Sequence, residues 1–159
     1  MALEIAQLAV GGGVLAICPM PGRGGTYGAD LRVVLAFAPE LVLSMTPEAE
    51  MAARGAEGLG RDLAHAGIGW LHLPVSDYGV PEGAVLAGWP DASARARAVL
   101  AGGGRVMVHC MGGCGRSGMA VLRLMVEAGE APEAALARLR AVRPCAVETQ
   151  AQMDWAAGG

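Results

Sequence analysis

The chain has 159 residues, 53% of them apolar and 17% charged, and a formal net charge of −3 from 15 acidic residues against 12 arginines without a lysine. This composition can bury one core and excludes a disordered chain, and it offers no basic cluster, signal-peptide pattern or apolar run of about 18 to 20 residues. We therefore expect one soluble, cytoplasmic domain over residues 1–159, active as a monomer, with no nucleic-acid or membrane partner.

Four short apolar runs bounded by Gly or Pro signals are typical of β-strands, and a further run at the N-terminus adds an edge strand. They cover residues 3–10, 13–17, 41–45, 70–75 and 105–109. We expect the first run to be an edge strand that pairs with the second across the turn at Gly11 and Gly12.

Helical patterns fill the intervals between these strands and most of the C-terminal half. They cover residues 28–38, 58–66, 91–100, 117–128 and 132–142, followed by a short helix that contains Gln152. Asp91 is expected to cap the third helix, and Arg123 and Glu127 to share one exposed strip on a fourth helix that is otherwise buried. The alternation predicts an α/β fold in three layers, with a mainly parallel sheet of four or five strands between helices.

One glycine-rich segment, between an apolar strand and an apolar helix, carries the chemistry. It reads His109-Cys110-Met111-Gly112-Gly113-Cys114-Gly115-Arg116-Ser117-Gly118. A loop that curls into the start of a helix directs several backbone N–H groups into one concavity, which suits a phosphate dianion. The expected phosphate-binding residues are Met111, Gly112, Gly113, Cys114, Gly115 and Arg116. Arg116 would add a planar bidentate grip.

Cys110 stands at the start of this cradle, where the amides, the helix end and Arg116 favour the thiolate. A thiolate there can attack phosphorus and form a cysteinyl-phosphate that water then hydrolyses. We expect His109 to hold the loop by hydrogen bonds, because an ionised thiolate needs no base. Ser117 is expected to donate a hydrogen bond to the sulfur and help it leave.

The segment resembles the signature of the protein tyrosine phosphatases, His-Cys-x-x-Gly-x-x-Arg-Ser/Thr-Gly, at every fixed position. Residues 18–22 and 73–81 resemble segments of the kinase-associated group of dual-specificity phosphatases. The resemblance implies metal-independent hydrolysis of phosphomonoesters, without a cofactor, on a phosphorylated protein or a small phosphomonoester.

The resemblance also places the general acid at Asp77, which precedes the cysteine by about thirty residues. The chemistry requires such an acid independently, because an alkoxide or phenoxide leaves slowly without a proton. Asp62 and Asp91 are the alternatives. By resemblance, residues 146–152 orient the hydrolytic water, with Gln152 as the best match and Glu148 standing where the family has glutamine.

Other functions remain open from the residues alone. The chain could be a phosphoresidue-binding adaptor with little turnover, or a sulfur-transfer or arsenate-reducing cysteine enzyme. A zinc site built from Cys110, Cys114, His109 and His72 is disfavoured, because a second cysteine pair is missing. Arg23 lies in a second glycine-rich loop, where it could contact an incoming phosphopeptide, although a flexible surface loop without such a role is the favoured interpretation.

The remaining cysteines give a redox prediction. Cys145 and Cys18 are interpreted as small apolar residues. Peroxide should oxidise Cys110 to the sulfenic acid, and Cys18 or Cys114 should then form a protecting disulfide with it.

Overall fold

A computed structural model of the protein describes residues 2–158. This part of the chain forms five strands and seven helices. The strands are β1 (Ala6–Val10), β2 (Gly13–Cys18), β3 (Leu41–Ser44), β4 (Gly69–His72) and β5 (Arg105–His109). The helices are α1 (Tyr27–Phe37), α2 (Glu48–Ala52), α3 (Leu59–His65), α4 (Gly83–Ala101), α5 (Gly115–Glu127), α6 (Pro132–Val142) and α7 (Gln150–Ala156).

The strands form one sheet in the order β1-β2-β5-β3-β4. Only β1 is antiparallel to its neighbour, so the predicted edge strand and the mainly parallel sheet are confirmed. His109, the last residue of the central strand β5, pairs with Cys18 on one side and with Ser44 on the other. The carboxyl ends of the central strands therefore meet at one edge, where ligands bind in sheets of this kind.

Two hydrophobic clusters cover the two faces of the sheet and confirm the three-layer architecture. One cluster packs Val106 and Val108 of β5 against α4, α5 and α6. The other packs Met107 of β5 against residues of α1 and α3, including Val34 and Leu63. Alternate residues of β5 thus enter opposite clusters, as the pleat of a buried strand requires.

Helix α4 begins earlier than the sequence pattern predicts. It runs from Gly83 and contains Pro90, so Asp91 lies inside the helix and does not cap it. The buried residues Trp89, Ala96 and Leu100 share one face, and their burial outweighs the cost of about 3 kcal/mol for an internal proline. Although α4 has 19 residues, no helix within residues 2–158 is long and apolar enough to cross a membrane.

Helix α5 is central and buried, as predicted, but its ion pair is not on an exposed strip. Arg123 Nε lies 3.2 Å from Glu127 Oε2, with 21% and 25% of the two side chains exposed. Glu127 accepts hydrogen bonds from Trp89 Nε1 at 2.9 Å and from Ser93 Oγ at 2.7 Å. The pair is therefore covered by α4, and it links the two helices.

Candidate active site

The segment between β5 and α5 forms the expected loop, called here the phosphate loop (residues 110–116). Gly113 has a φ of 71°, a conformation that glycine adopts without strain. A Cβ at Gly113 would lie 2.6 Å from the backbone nitrogen of Pro19 and 2.7 Å from the carbonyl carbon of Cys18. Only glycine therefore fits where the loop passes over the end of β2.

Cys110 lies at the bottom of a cavity of about 290 Å³ and is 3% exposed. Its sulfur is 3.1 Å from Ser117 Oγ. The cavity is lined by Arg23, Asp77, Tyr78, Cys110, Met111, Gly112, Cys114, Gly115, Arg116, Arg143 and Glu148. The structure therefore brings Asp77, Cys110, Arg116 and most of the phosphate loop together, with Ser117 directly behind the sulfur.

Arg116 is held by a residue that the sequence analysis missed. Its Nη1 and Nη2 each donate to one carboxylate oxygen of Glu50 in α2 at 2.9 Å, and Nη1 also donates to the carbonyl of Val75 at 2.9 Å. Arg116 is only 2% exposed. Burial disfavours its charge, but the hydrogen bonds to Glu50 and the nearby Cys110 and Asp77 outweigh burial and raise the pKa of Arg116. Glu50 thus fixes the plane of the guanidinium.

Asp77 lies in the segment between β4 and α4, called here the acid loop (residues 73–82). Its Oδ1 is 3.4 Å from Arg116 Nη2, and 60% of its side chain is exposed. The two alternative acids lie elsewhere: Asp62 accepts a hydrogen bond from the Tyr27 hydroxyl at 2.7 Å, and Asp91 is exposed on α4. Of the three candidates, Asp77 is the one that lines the cavity.

His109 does not face the cavity but supports the loop from beneath. Its Nδ1 lies 3.2 Å from the carbonyl of Cys110, and its Nε2 lies 2.5 Å from Ser44 Oγ. Trp70 Nε1 donates to Ser44 Oγ at 2.8 Å. Burial lowers the pKa of His109 to about 4, so the ring is neutral near pH 7. Because a carbonyl only accepts, Nδ1 carries the proton and the Ser44 hydroxyl donates to Nε2.

A second support, which the sequence analysis missed, comes from the segment after α6. Arg143 donates through Nε to the carbonyl of Gly113 and through Nη2 to the carbonyl of Gly112, both at 2.9 Å. Cys145 forms a disulfide with Cys114 of the phosphate loop, with their Cα atoms 5.1 Å apart. The only sequence signal for this support was the presence of a cysteine in each segment.

The disulfide corrects two predictions about the cysteines. Cys145 is exposed and paired, so it is not an unpaired small apolar residue. Cys114 is bonded to Cys145 and is not available to Cys110. Cys18 packs with Met107 in the cluster on the other face of the sheet from Cys110, and burial raises the pKa of its thiol. Cys114 is therefore not placed to protect Cys110, whereas protection by Cys18 stays a prediction.

Gln152 was predicted to position the hydrolytic water, and the structure gives its side chain other partners. The residue is fully buried. Its Oε1 accepts from the backbone N–H groups of Glu148 and Thr149 at 2.9 and 3.3 Å, and its Nε2 donates to the carbonyl of Gly79 at 3.1 Å. Gln152 thus connects α7 with the acid loop. Glu148 is the polar residue of this segment that lines the cavity.

The residues weighed for a zinc site are also engaged otherwise. His72 Nε2 lies 2.7 Å from the carbonyl of Thr46, His109 bonds Ser44, and Cys114 bonds Cys145. Within residues 2–158, no group of three or more His, Cys, Asp or Glu side chains is arranged to hold a metal ion.

No protein-family model matches this sequence, and no curated protein matches it. Solved structures match it over most of its length. The kinase-associated phosphatase, with its catalytic-site cysteine replaced by serine, aligns at a TM-score of 0.85 and 20% identity over 98% of this chain and 93% of its own. Tk-PTP in its active form aligns at 0.68 and 29% identity over 88% and 86% of the two chains. PTPMT1 aligns at 0.71 and 25% identity over 91% and 87%.

These structures share the architecture found here: a central sheet flanked by helices. The agreement extends over most of each chain and includes the kinase-associated group that residues 18–22 and 73–81 resemble. The chain therefore has the fold of the cysteine-based protein tyrosine phosphatases of the dual-specificity type, with a resemblance to the kinase-associated phosphatase.

Proposed function

We propose that the protein hydrolyses phosphate monoesters in two steps, without a metal, through a cysteinyl-phosphate on Cys110. The observation that carries the proposal is the convergence of Cys110, Arg116 and Asp77 on one cavity whose floor is the phosphate loop. An adaptor that only bound a phosphoresidue would need the loop and Arg116, but it would not need an acid beside them or a hydroxyl 3.1 Å from the sulfur.

In the first step the thiolate of Cys110 attacks phosphorus, and the bond from phosphorus to the ester oxygen breaks. Asp77 gives its proton to that oxygen, so the product leaves as a neutral alcohol or phenol. The loop amides and Arg116 bind the non-bridging oxygens, where charge is distributed in the transition state. Because Glu50 holds Arg116 in place, the guanidinium needs no reorganisation to contact the phosphate oxygens when the substrate binds.

In the second step water attacks phosphorus, the phosphorus–sulfur bond breaks, and inorganic phosphate leaves. The Ser117 hydroxyl supports the return of the thiolate by donating to the sulfur. Asp77, now ionised, can accept a proton from the water. Glu148 also lines the cavity, and its carboxylate is a second acceptor for that proton. A role for Gln152 in positioning this water stays a prediction.

The substrate is proposed to be a phosphorylated protein or a small phosphomonoester. The net charge of −3 and the absence of a basic cluster argue against nucleic acid as a partner. We propose a cytoplasmic location, where Cys110 stays reduced and where the Cys114–Cys145 disulfide would form only under oxidising conditions. We propose that the protein acts there as a monomer.

Hydrolysis of p-nitrophenyl phosphate in the presence of a chelator tests the activity directly. Rapid acid quench with a radiolabelled substrate should trap phosphate on the wild-type protein. Cys110→Ser should lose turnover and the trapped label but keep vanadate or phosphate binding, since the amides and Arg116 remain. Near-wild-type turnover in Cys110→Ser would contradict the mechanism. Binding of phosphate without any turnover by the wild-type protein would favour the adaptor.

A further inference from the structure

Arg23 occupies a place in the active-site cavity that the proposed chemistry does not use. It follows β2, in a glycine-rich turn, and its side chain is exposed. The guanidinium atoms Cζ, Nη1 and Nη2 all lie 3.9 Å from the point where a Cβ would stand on Gly112. Three equal distances mean that the guanidinium presents its face to Gly112. Arg23 therefore lies at the rim of the phosphate cradle, with its N–H edges open to solvent.

The turn that carries Arg23 is fixed on both sides. The backbone N–H of Gly22 donates to the buried carboxylate of Asp30 at 2.8 Å. Arg54 Nη1 donates to the carbonyl of Arg23 at 2.7 Å. A side chain on a fixed turn loses less conformational entropy when it binds a ligand than one on a loose loop. The backbone position from which the Arg23 side chain extends is thus a property of the fold.

Two arginines lie between the active-site cavity and a neighbouring cavity. Arg23 and Arg143 line both the cavity over Cys110 and a neighbouring cavity of about 250 Å³, so they form the wall between the two. The carboxylates stand on either side of this wall: Asp77 and Glu148 line only the first cavity, and Glu4 and Asp30 line only the second. Arg143 uses Nε and Nη2 on loop carbonyls, whereas the Arg23 guanidinium has no hydrogen-bond or ion-pair partner among residues 2–158. The shared wall is therefore cationic, and Arg23 is its available donor.

We propose that Arg23, aided by Arg143, binds a second anionic group of the substrate, a phosphate or carboxylate beside the ester that Cys110 attacks. This inference rests on the proposed function and adds a substrate class: molecules that carry two neighbouring anionic groups. In the proposed mechanism Arg116 and the loop amides bind the reacting phosphate, which leaves the N–H groups of Arg23 available for a second group. A guanidinium can bind a phosphate through two parallel N–H donors, so Arg23 offers a directional contact in addition to its charge.

Matched substrate pairs test the proposal. One pair is a phosphotyrosine peptide with and without a neighbouring phosphothreonine, and the other is an inositol bisphosphate against the monophosphate. The measured quantity is the ratio of kcat/KM within each pair. For wild type we expect a ratio of about five to ten in favour of the second phosphate, since the contact is charged but partly solvated. The ratio should shrink when salt is raised to about 0.5 M.

Variants then assign the preference to Arg23. Arg23→Ala should bring the ratio to about one, and Arg23→Glu should bring it below one, since like charges repel. The matched control is Arg32→Ala, which removes the same charge from an exposed position on α1 outside both cavities. A preference in only one substrate pair supports the subsite and identifies the source of the second anion. A wild-type ratio near one in both pairs, or a wild-type ratio retained by Arg23→Ala, overturns the proposal.

A binding measurement separates this proposal from the proposed function. Cys110→Ser and the double variant Cys110→Ser, Arg23→Ala can be titrated with each substrate pair by calorimetry. If turnover of monophosphates fails but Cys110→Ser still prefers the doubly phosphorylated ligand, the subsite stands and the hydrolytic function falls. If monophosphates turn over and neither measurement shows a preference, the function stands and the subsite falls.

Discussion

The phosphate loop and the acid loop meet at one cavity, but they are held differently. The phosphate loop is supported from beneath by His109 and from outside by Arg143 and the Cys114–Cys145 disulfide. The acid loop is anchored at Val75, whose carbonyl accepts from Arg116 and whose N–H donates to the carbonyl of Met45. Beyond Val75 it is held by one contact between Asp77 and Arg116 at 3.4 Å and by a hydrogen bond from Gln152 to Gly79 at 3.1 Å. Asp77 and Tyr78 are each about 60% exposed.

This difference fits the two tasks. Binding of a phosphate dianion works best when its donors are fixed before the ligand arrives, because no reorganisation is then needed. A proton donor has to reach leaving groups of different size and shape, which a lightly held loop permits. Changes in the phosphate loop should therefore affect every substrate alike, whereas changes in the acid loop should depend on the leaving group.

Asp77→Asn should produce the largest difference in rate between esters with poor and good leaving groups. Esters with poor leaving groups should slow by about 10² to 10⁴, since the proton is lost, while esters with good leaving groups should slow far less. The measurement is kcat across a series of aryl phosphates, plotted against the pKa of the leaving phenol. Asp91→Asn, on the exposed side of α4, is the control. An equal loss on every ester would point to a different acid.

Loss of the disulfide should mainly affect stability. Cys145→Ser opens a covalent loop between residues 31 positions apart, which should lower the free energy of unfolding by about 4 kcal/mol. Turnover should fall only a few-fold, because Arg143 still holds two loop carbonyls. Urea unfolding with and without dithiothreitol checks this, and the reductant should have no effect on the stability of Cys145→Ser. Titration of four free thiols in the unreduced wild-type protein would rule the bond out.

Glu50→Gln tests the support of Arg116. The amide keeps one acceptor but loses the charge, so a buried guanidinium is left with weaker partners. We expect kcat/KM to fall by about 30-fold to 100-fold on every ester, with no dependence on the leaving group. Glu48→Gln removes the same charge from an exposed position on α2 and should be close to wild type. A leaving-group dependence like that of Asp77→Asn would contradict this division of roles.

The sequence was sufficient to predict the sheet and the phosphate loop. Buried strands such as Arg105–His109 are short apolar runs between glycines, and the loop signature is contiguous, so both are visible locally. Glu50 and Arg143 were missed, because nothing in their own neighbourhood shows that they will meet a loop more than 25 positions away. The start of α4 was missed because Pro90 looks like a boundary when the buried face of the helix is unknown.

The buried histidine under the phosphate loop, His109, should make the stability of the protein depend on pH. Burial lowers the pKa of His109 from 6.5 to about 4 in the folded protein. Below about pH 6.5 His109 becomes protonated in the unfolded chain, whereas in the folded protein it stays neutral down to about pH 4. The neutral ring therefore contributes stability that is fully present above pH 6.5 and is lost as the pH falls towards 4. Between about pH 7 and pH 5 the loss should be about 2 kcal/mol.

Urea unfolding at these two pH values measures the loss, and pH 5 lies above the usual pKa values of the carboxyl groups. His109→Asn should be less stable than wild type at pH 7, because the hydrogen bonds to Ser44 and the Cys110 carbonyl are disturbed. Its stability should change less between the two pH values. His65→Asn, at an exposed position, should keep the wild-type dependence. If His109→Asn loses as much stability as wild type over this range, the titrating group lies elsewhere, and the neutral hydrogen-bond chain from Trp70 to the phosphate loop is not what acid disrupts.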